Sequence, residues 1–177
     1  LNGTGWADCA EEENEDGSWT YYVKAGTQIA PAIHIANDGD TVHLLEGDFI
    51  ERIDLTNKQI TLKGTIGNNE CNEESLLTRL IPGASNSDIH GAIYLSATPC
   101  TIEDLVITGV YEGNDYGSGG LYCYASASTF NNCIFKSCEG YYGAAYIYGL
   151  ATSSPSFNNC QFLDNHASYT GDEVASP

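Results

Sequence analysis

Three segments of this chain are near-copies of one another at an almost constant interval: Thr101-Ile102-Glu103-Asp104-Leu105-Val106-Ile107, Thr129-Phe130-Asn131-Asn132-Cys133-Ile134-Phe135 and Ser156-Phe157-Asn158-Asn159-Cys160-Gln161-Phe162. They begin at positions 101, 129 and 156, so the spacing is 28 and then 27 residues. A second series interleaves with them: Gly91-Ala92-Ile93-Tyr94-Leu95, Gly119-Gly120-Leu121-Tyr122-Cys123 and Gly143-Ala144-Ala145-Tyr146-Ile147. A period of this size, carrying short alternating strands, marks a solenoid in which each unit buries its apolar face only against the next.

In a parallel solenoid, equivalent residues of successive coils stack about 4.8 Å apart. The alternation then predicts inward columns of Ile102, Phe130 and Phe157, of Leu105, Cys133 and Cys160, and of Ile107, Phe135 and Phe162. On the interleaved strand it predicts Ile93, Leu121 and Ala145 inward together with Leu95, Cys123 and Ile147. Tyr94, Tyr122 and Tyr146 fall on the opposite face as an aromatic ladder. Asn131 over Asn158, or Asn132 over Asn159, forms an amide ladder at a turn. Cys123 is expected as a buried thiol. Cys133 and Cys160 lie within reach of a coil-to-coil disulfide, and Cys9, Cys71, Cys100 and Cys138 fall in loops or corners as candidates for structural bridges.

The first 20 residues are less regular and form an acidic arm: Glu11, Glu12, Glu13, Glu15 and Asp16 lie between Trp6 and Trp19. Two tryptophans so near one end favour packing against the same chain or a neighbour, which makes Trp6 and Trp19 candidates for an assembly interface. Residues 21–177 form the repeat domain. Thr27 is the expected N-cap of a short helix over about 28–36, with Pro31 in its first turn. Strands follow at 41–45, 49–55, 59–64 and 78–81, and residues 65–76, rich in Asn and Glu, read as an extruded loop. Helical periodicity ends at Ala36, so the body is all-β, with about five to six coils at this repeat length.

Twenty-four acidic residues face six basic ones, a net charge of −18. That balance excludes nucleic acid and anionic membrane as partners, because both require cationic patches to displace counterions. It permits a divalent cation such as calcium, although no residue cluster has the spacing of a metal site, and no cofactor is expected. No apolar run is long enough for a membrane helix. Seven cysteines without a CxxC pair, in a chain that lacks Met, point to an oxidising, extracellular setting. Asn2-Gly3-Thr4 is a candidate glycosylation site at Asn2.

The stretch from Ile33 to Glu51, with Gly39-Asp40-Thr41 at its turn, resembles the opening of pectin-lyase-like right-handed β-helix proteins. The Phe-Asn-Asn-Cys-x-Phe segments, with Gly143-Ala144-Ala145 and Asn165-His166-Ala167, resemble repeats of polymorphic outer-membrane proteins and related surface adhesins. Together the two resemblances cover residues 21–175. They imply a right-handed, single-stranded parallel β-helix behind an N-terminal capping helix. The chain departs from the adhesin pattern at Cys138, where the next coil has Asn165.

The superfamily includes polysaccharide lyases, esterases and hydrolases, so catalysis is tested against the residues. Inverting glycoside hydrolysis needs two carboxyl groups about 6.5–9.5 Å apart across a cleft. Asp88, Glu103, Asp104 and Asp115 form none of the Asn-Thr-Asp, Asp-Asp or Gly-His-Gly motifs of such enzymes. The six cations fit no lyase motif, and His34, His43, His90 and His166 are scattered. The expectation is a non-enzymatic protein with no catalytic residue. Past 162 only Glu173-Val174-Ala175 reads as a short strand, so the C-terminal edge is expected to be open and Val174 joins the interface candidates. Head-to-tail stacking into an extracellular filament or surface assembly follows. The alternatives are a carbohydrate-binding or carbohydrate-processing domain and an adhesin passenger segment.

Overall fold

The structure, a computed structural model, describes residues 9–66, 77–82, 91–111, 117–149 and 154–168. Asn2, Trp6, Cys71 and Val174, together with Asp88, His90 and Asp115, lie outside the described residues, so the expectations placed on them do too.

Short strands run through three sheets in a fixed rotation. The first sheet is built from β1 (Cys9–Glu13), β2 (Trp19–Val23), β3 (Thr41–Leu44), β6 (Thr61–Lys63), β9 (Thr101–Glu103), β12 (Thr129–Asn131) and β15 (Ser156–Asn158). The second holds β4 (Gly47–Ile50), β7 (Thr78–Ile81), β10 (Val106–Val110), β13 (Ile134–Gly140) and β16 (Gln161–Leu163), with β17 (His166–Ala167) also paired to β13. The third holds β5 (Ile53–Asp54), β8 (Ile93–Ser96), β11 (Leu121–Tyr124) and β14 (Ala145–Tyr148). The triads β6–β7–β8, β9–β10–β11 and β12–β13–β14 make about three turns of a parallel β-solenoid. The strands β3–β4–β5 precede them in the same sheets, and β15–β16 follow.

The stacked columns are in register as the repeat requires. Ile102, Phe130 and Phe157 pair rung on rung, as do Ile107, Phe135 and Phe162. Ile93, Leu121 and Ala145 stack beside Leu95, Cys123 and Ile147. Aromatic rings meet face to face within the columns, Phe130 on Phe157 at 4.9 Å and Phe135 on Phe162 at 4.9 Å. Outward positions stack as well: Thr41, Thr61, Thr101, Thr129 and Ser156 form a hydroxyl column on the first sheet.

Corners explain the Asn-Asn-Cys signature. Asp104, Asn132 and Asn159 sit at φ of 56°, 54° and 52°, the left-handed region in which Asp and Asn are the least penalised side chains. The turn redirects the next residue inward, so Leu105 and Cys133 are fully buried. Both proposed amide ladders exist: Asn158 Nδ2 donates to Asn131 Oδ1 at 2.9 Å, and Asn159 Nδ2 donates to Asn132 Oδ1 at 2.9 Å. At the opposite corner the buried Ser126 and Ser128 satisfy the backbone: Ser126 Oγ donates to the Thr98 carbonyl, and Ser128 Oγ accepts from the Cys100 N–H.

Several expectations change. The helix α1 spans Ala30–Ile35 and Thr27 does not cap it; the Thr27 hydroxyl donates to the Lys24 carbonyl. The Glu51 carboxylate instead accepts from the Ile29 and Ala30 N–H groups, so a residue 22 and 21 positions away closes the helix start. The stretch 49–55 is not one strand: it bends at Glu51 and Arg52 between the second and third sheets. Residues 9–20 pack on their own chain, β1 pairing antiparallel with β2 from Cys9–Val23 to Glu13–Trp19. Cys138 is in no corner loop but inside β13, fully buried, and Cys100 is buried where the corner turns back into the first sheet.

Replacing Phe135, fully buried, by Ala is expected to cost about 3–5 kcal/mol of unfolding free energy in urea. Phe162→Ala, in the same column at the last rung, should cost less than half as much. Equal losses would show that the last rung is covered.

Candidate functional site

Four places in the fold bring together chemistry: the last coil, the acidic N-terminal edge, the tyrosine face and a cleft beneath α1. The last coil presents core-type side chains to solvent. Ile147 is 47% exposed and Phe162 48%, whereas Leu95, Cys123, Ile107 and Phe135 in the same columns are at 0%. Leu163 is 40% exposed, and Phe157 and Cys160 are half-buried. On that side no described strand pairs with β14, β15 or β16. None of these three strands carries Asp, Glu, Lys, Arg or His.

The opposite end is finished differently. The strand β1 bears Glu11, Glu12 and Glu13, all exposed, and like charges on this edge disfavour pairing with the same edge of a second copy. Tyr22 donates its hydroxyl to Glu12 at 2.9 Å, which holds the phenol above its usual pKa. Trp19 packs partly buried against the core, and its N–H donates to Asp40 Oδ1 at 2.8 Å. Trp19 is thus a component of its own chain's core, and this use accounts for its burial without a neighbour.

The tyrosine ladder stands on the outer face of the third sheet. Tyr94 stacks on Tyr122 at 5.2 Å with 13° between planes, and Tyr122 meets Tyr146 at 5.1 Å and 47°. Two residues further along the strands a second pair, Tyr124 and Tyr148, stacks at 5.8 Å and 20°. Sequence reading found the first column; the second lay in plain alternation beside it and was missed.

The cleft beneath α1 has a volume of about 330 Å³ and is lined by Ala30, Ile33 and His34 of the helix and by Glu51, Arg52, Ile53, Asp54, Thr56 and Lys58. Its ionic groups hold the cap in place. Glu51 closes the start of α1, and Lys58 Nζ donates to the His34 and Ala36 carbonyls at 3.0 and 2.8 Å. Arg52 reaches across coils, donating Nη1 to the Gly91 carbonyl at 2.9 Å and Nη2 to the Val110 carbonyl at 3.1 Å. Its Nε is the one buried side-chain polar atom without a partner among the described residues, and desolvation lowers the pKa of the guanidinium. The cleft is a seam that fastens helix to solenoid.

Of the acidic and basic residues weighed as catalytic, His43, Lys63, Glu103 and Asp104 lie close together on neighbouring rungs at the first sheet, and Asp88, His90 and Asp115 fall outside the described residues. Glu103 pairs with Lys63 at 2.9 Å, which raises the lysine pKa, and Asp104 accepts from Asn132 Nδ2 at its corner. His43 is half-buried against Tyr22 at 5.3 Å; burial, followed by the Lys63 charge, lowers its pKa from the ordinary 6.5. His34 lies on α1 and His166 on β17, both exposed. Among the described residues no three His, Cys, Asp or Glu side chains converge as a metal site.

Cys100, Cys123, Cys133, Cys138 and Cys160 are all free thiols, so the bridges expected from Cys100, Cys138, Cys133 and Cys160 are absent. The side chains of Cys9 and Cys71 lie outside the described set. Each of the five thiols instead donates to a backbone carbonyl, as Cys133 does to Ile102 and Asn131 and Cys138 to Ile107 and Lys136, and Cys133 and Cys160 lie side by side in one column as thiols. Burial pushes Cys100 up to about 11 and both Cys133 and Cys138 to about 12, and raises Cys123 as well. Asn165, the counterpart of Cys138 in the next coil, accepts from the Cys138 N–H and donates to the Phe135 carbonyl, tying β13 to the last turn.

No protein-family model matches the chain, and no curated protein or solved structure matches it.

Two measurements check this account. Among the five described cysteines, a thiolate-selective alkylating reagent at pH 8 should modify Cys160 first in the folded protein, with Cys100, Cys133 and Cys138 protected until urea unfolds it. Reaction of Cys138 ahead of Cys160 would contradict the assigned burial. His43 resists protonation when folded, so its contribution to stability is complete above the unfolded value near 6.5 and is lost as pH falls through the lower folded value. The Tm of a His43→Asn variant should therefore fall less than that of the wild type between pH 7.5 and 5.

Proposed function

We propose that the chain is a non-enzymatic structural β-helix that works outside the cell as the protomer of a filament or surface assembly, with end-to-end stacking of solenoids as its biochemical activity. Right-handed winding, a native length of five to six coils and membership of the pectin-lyase-like superfamily belong to the same proposal. The observation that carries it is the last coil, where columns buried at 0% one turn earlier end in Ile147 and Phe162 at 47% and 48% exposure. Each rung of such a column is buried on one side by the rung before it and on the other by the rung that follows, so the last one leaves an apolar side open for docking.

Electrostatics sets the polarity of stacking. Copies carrying −18 repel one another, and a neutral end formed by β14, β15 and β16 is where approach costs least. A head-to-tail contact sets the acidic β1 edge of one copy against the uncharged end of the next, which avoids facing two acidic edges. A heterologous contact that does not close on itself propagates into a filament. Extracellular placement rests on the number of cysteines and the lack of Met; Asn2 glycosylation and calcium dependence are further parts of the reading with no site geometry behind them.

A carbohydrate-binding role is the second reading, favoured by the cleft beneath α1 with its Arg52, Lys58, His34 and Asp54. The cations there are already engaged with carbonyls, which leaves little for a saccharide. The third reading, an adhesin passenger segment, uses the same open end with further coils in place of a second copy.

Sedimentation velocity over a hundredfold concentration range, with negative-stain imaging, tests the assembly. The wild type should show mass growing with concentration, more strongly at higher salt as the −18 repulsion is screened. Ile147→Asp and Phe162→Asp should each hold the chain monomeric. A wild type that stays monomeric throughout would sink the proposal.

A further inference from the structure

We propose that the outer face of the third sheet binds an elongated, planar, cationic aromatic molecule, lying parallel to the solenoid axis in the trough between two tyrosine columns. Register fixes the site. Tyr94, Tyr122 and Tyr146 occupy successive rungs of one column, and Ser96, Tyr124 and Tyr148 those of the other. Positions two apart on a strand share a face, so the columns run side by side. Tyr146 and Tyr148 lie 6.2 Å apart with planes within 3°, and Tyr124 and Tyr148 are 43% and 59% exposed. The second column steps down to Ser96 at the head of the trough. The first column continues to an anion, because Asp54 pairs with Tyr94 in the neighbouring strand and is exposed.

Size selects a small molecule over a protein. Three strands by four residues cover roughly 14 by 13 Å, about 200 Å² at ordinary strand dimensions, far below the roughly 800 Å² per partner of a stable protein interface. Ring geometry decides against a sugar. A pyranose stacks on an open ring face, but along the first column neighbouring rings 5.1–5.2 Å away cover one another, and Tyr142 stacks on Tyr146 at 4.4 Å. Edges and phenol oxygens suit the side of a flat aromatic laid lengthwise.

Charge selects a cation. The strands β8, β11 and β14 carry no charged residue, and Asp54 heads the trough in a chain of −18. A positive group at one end of the ligand meets Asp54 while its rings follow the tyrosines, a span of about 14 Å over three strand steps. Stacking has already ordered the rings, so binding immobilises few side chains.

Thioflavin T, a planar benzothiazolium cation, is the probe. Titrated into the full chain at low ionic strength, it should give saturable fluorescence at about one dye per chain, weakening as salt is added. Tyr124→Ser with Tyr148→Ser should weaken binding about tenfold, and Asp54→Asn a few-fold. If the double variant fails to fold, Tyr148→Ser alone, at a mostly exposed position in β14, reads the same contact. Absence of saturable binding by the wild type overturns the proposal. So does unchanged binding by a folded tyrosine variant, or a signal that follows association of copies rather than dye per chain. Phe162→Asp separates this site from end-to-end stacking, because its dye binding should equal that of the wild type whether or not the chain assembles.

Discussion

Everything in this molecule follows from in-register parallel stacking, which sets each side chain against its equivalent one strand spacing away. The requirement is strict because the side-chain period of a strand is two, and a slip of one residue would turn Phe130 and Leu121 to solvent. It also explains why the repeat preserves residue type more closely than function needs. Phenylalanine stacks on phenylalanine, threonine on threonine, and asparagine on asparagine with an amide bond between them. Corners obey the same rule: a left-handed residue must lie over a left-handed residue, which keeps Asp or Asn at 104, 132 and 159. One glycine is fixed similarly, since a Cβ on Gly119 would strike the backbone of Gly109 and Glu139.

Stacking restricts charge even more tightly than shape. A charged residue repeated on adjacent rungs would meet its own sign at about 4.8 Å. In the outward column through His43, Lys63, Glu103, Asn131 and Asn158 the Lys63 charge lowers the pKa of His43 on one side, Lys63 bonds to Glu103 on the other, and the rungs beyond are neutral. Asp48 and Arg79 repeat the device on the second sheet, with Arg79 Nε donating to Asp48 at 2.6 Å. Acidic residues in the described part stand at corners, on β1, or singly on strands whose neighbouring rungs are basic or neutral, as Asp48, Asp54 and Glu103 do. On the third sheet Asp54 is the one acidic residue among the described strands, and the tyrosine face of β8, β11 and β14 beside it is uncharged.

The repeat made the interior legible: every column from Ile102 to Ile147 and the ladder through Tyr94 could be written from spacing alone. What could not be written depends on distant partners. The cap of α1 comes from Glu51 and Lys58, which approach only once the first coil has closed, so local reading assigned Thr27. Cys138 looked like a corner residue because Ser137, at φ 52°, bends β13 without ending it. The cysteines invited a reading as bridges by number, but their columns point to the core, where a thiol serves as a small apolar side chain with a weak donor. The pairing of β1 with β2 was hidden by the very glutamates that protect that edge.

Translation along an axis has a further consequence: a stack of like units has no intrinsic place to stop, and each end needs a device of its own. The first end has two, α1 laid beside the opening coil and an antiparallel strand whose glutamates repel the same acidic edge of a second copy. The last described coil has neither. Its ladders remain intact, with Asn159 bonded to Asn132 and Phe162 stacked on Phe135, so the final rung keeps the order of the ones before it, while its strands β15 and β16 carry no charged side chain and leave Phe162 half exposed. Order matters here, because a rung already held in the geometry of its neighbours loses little conformational freedom when another is laid upon it. The same interaction that propagates the fold inside the chain is therefore the one the proposed assembly would use, with no interface different in kind from the core.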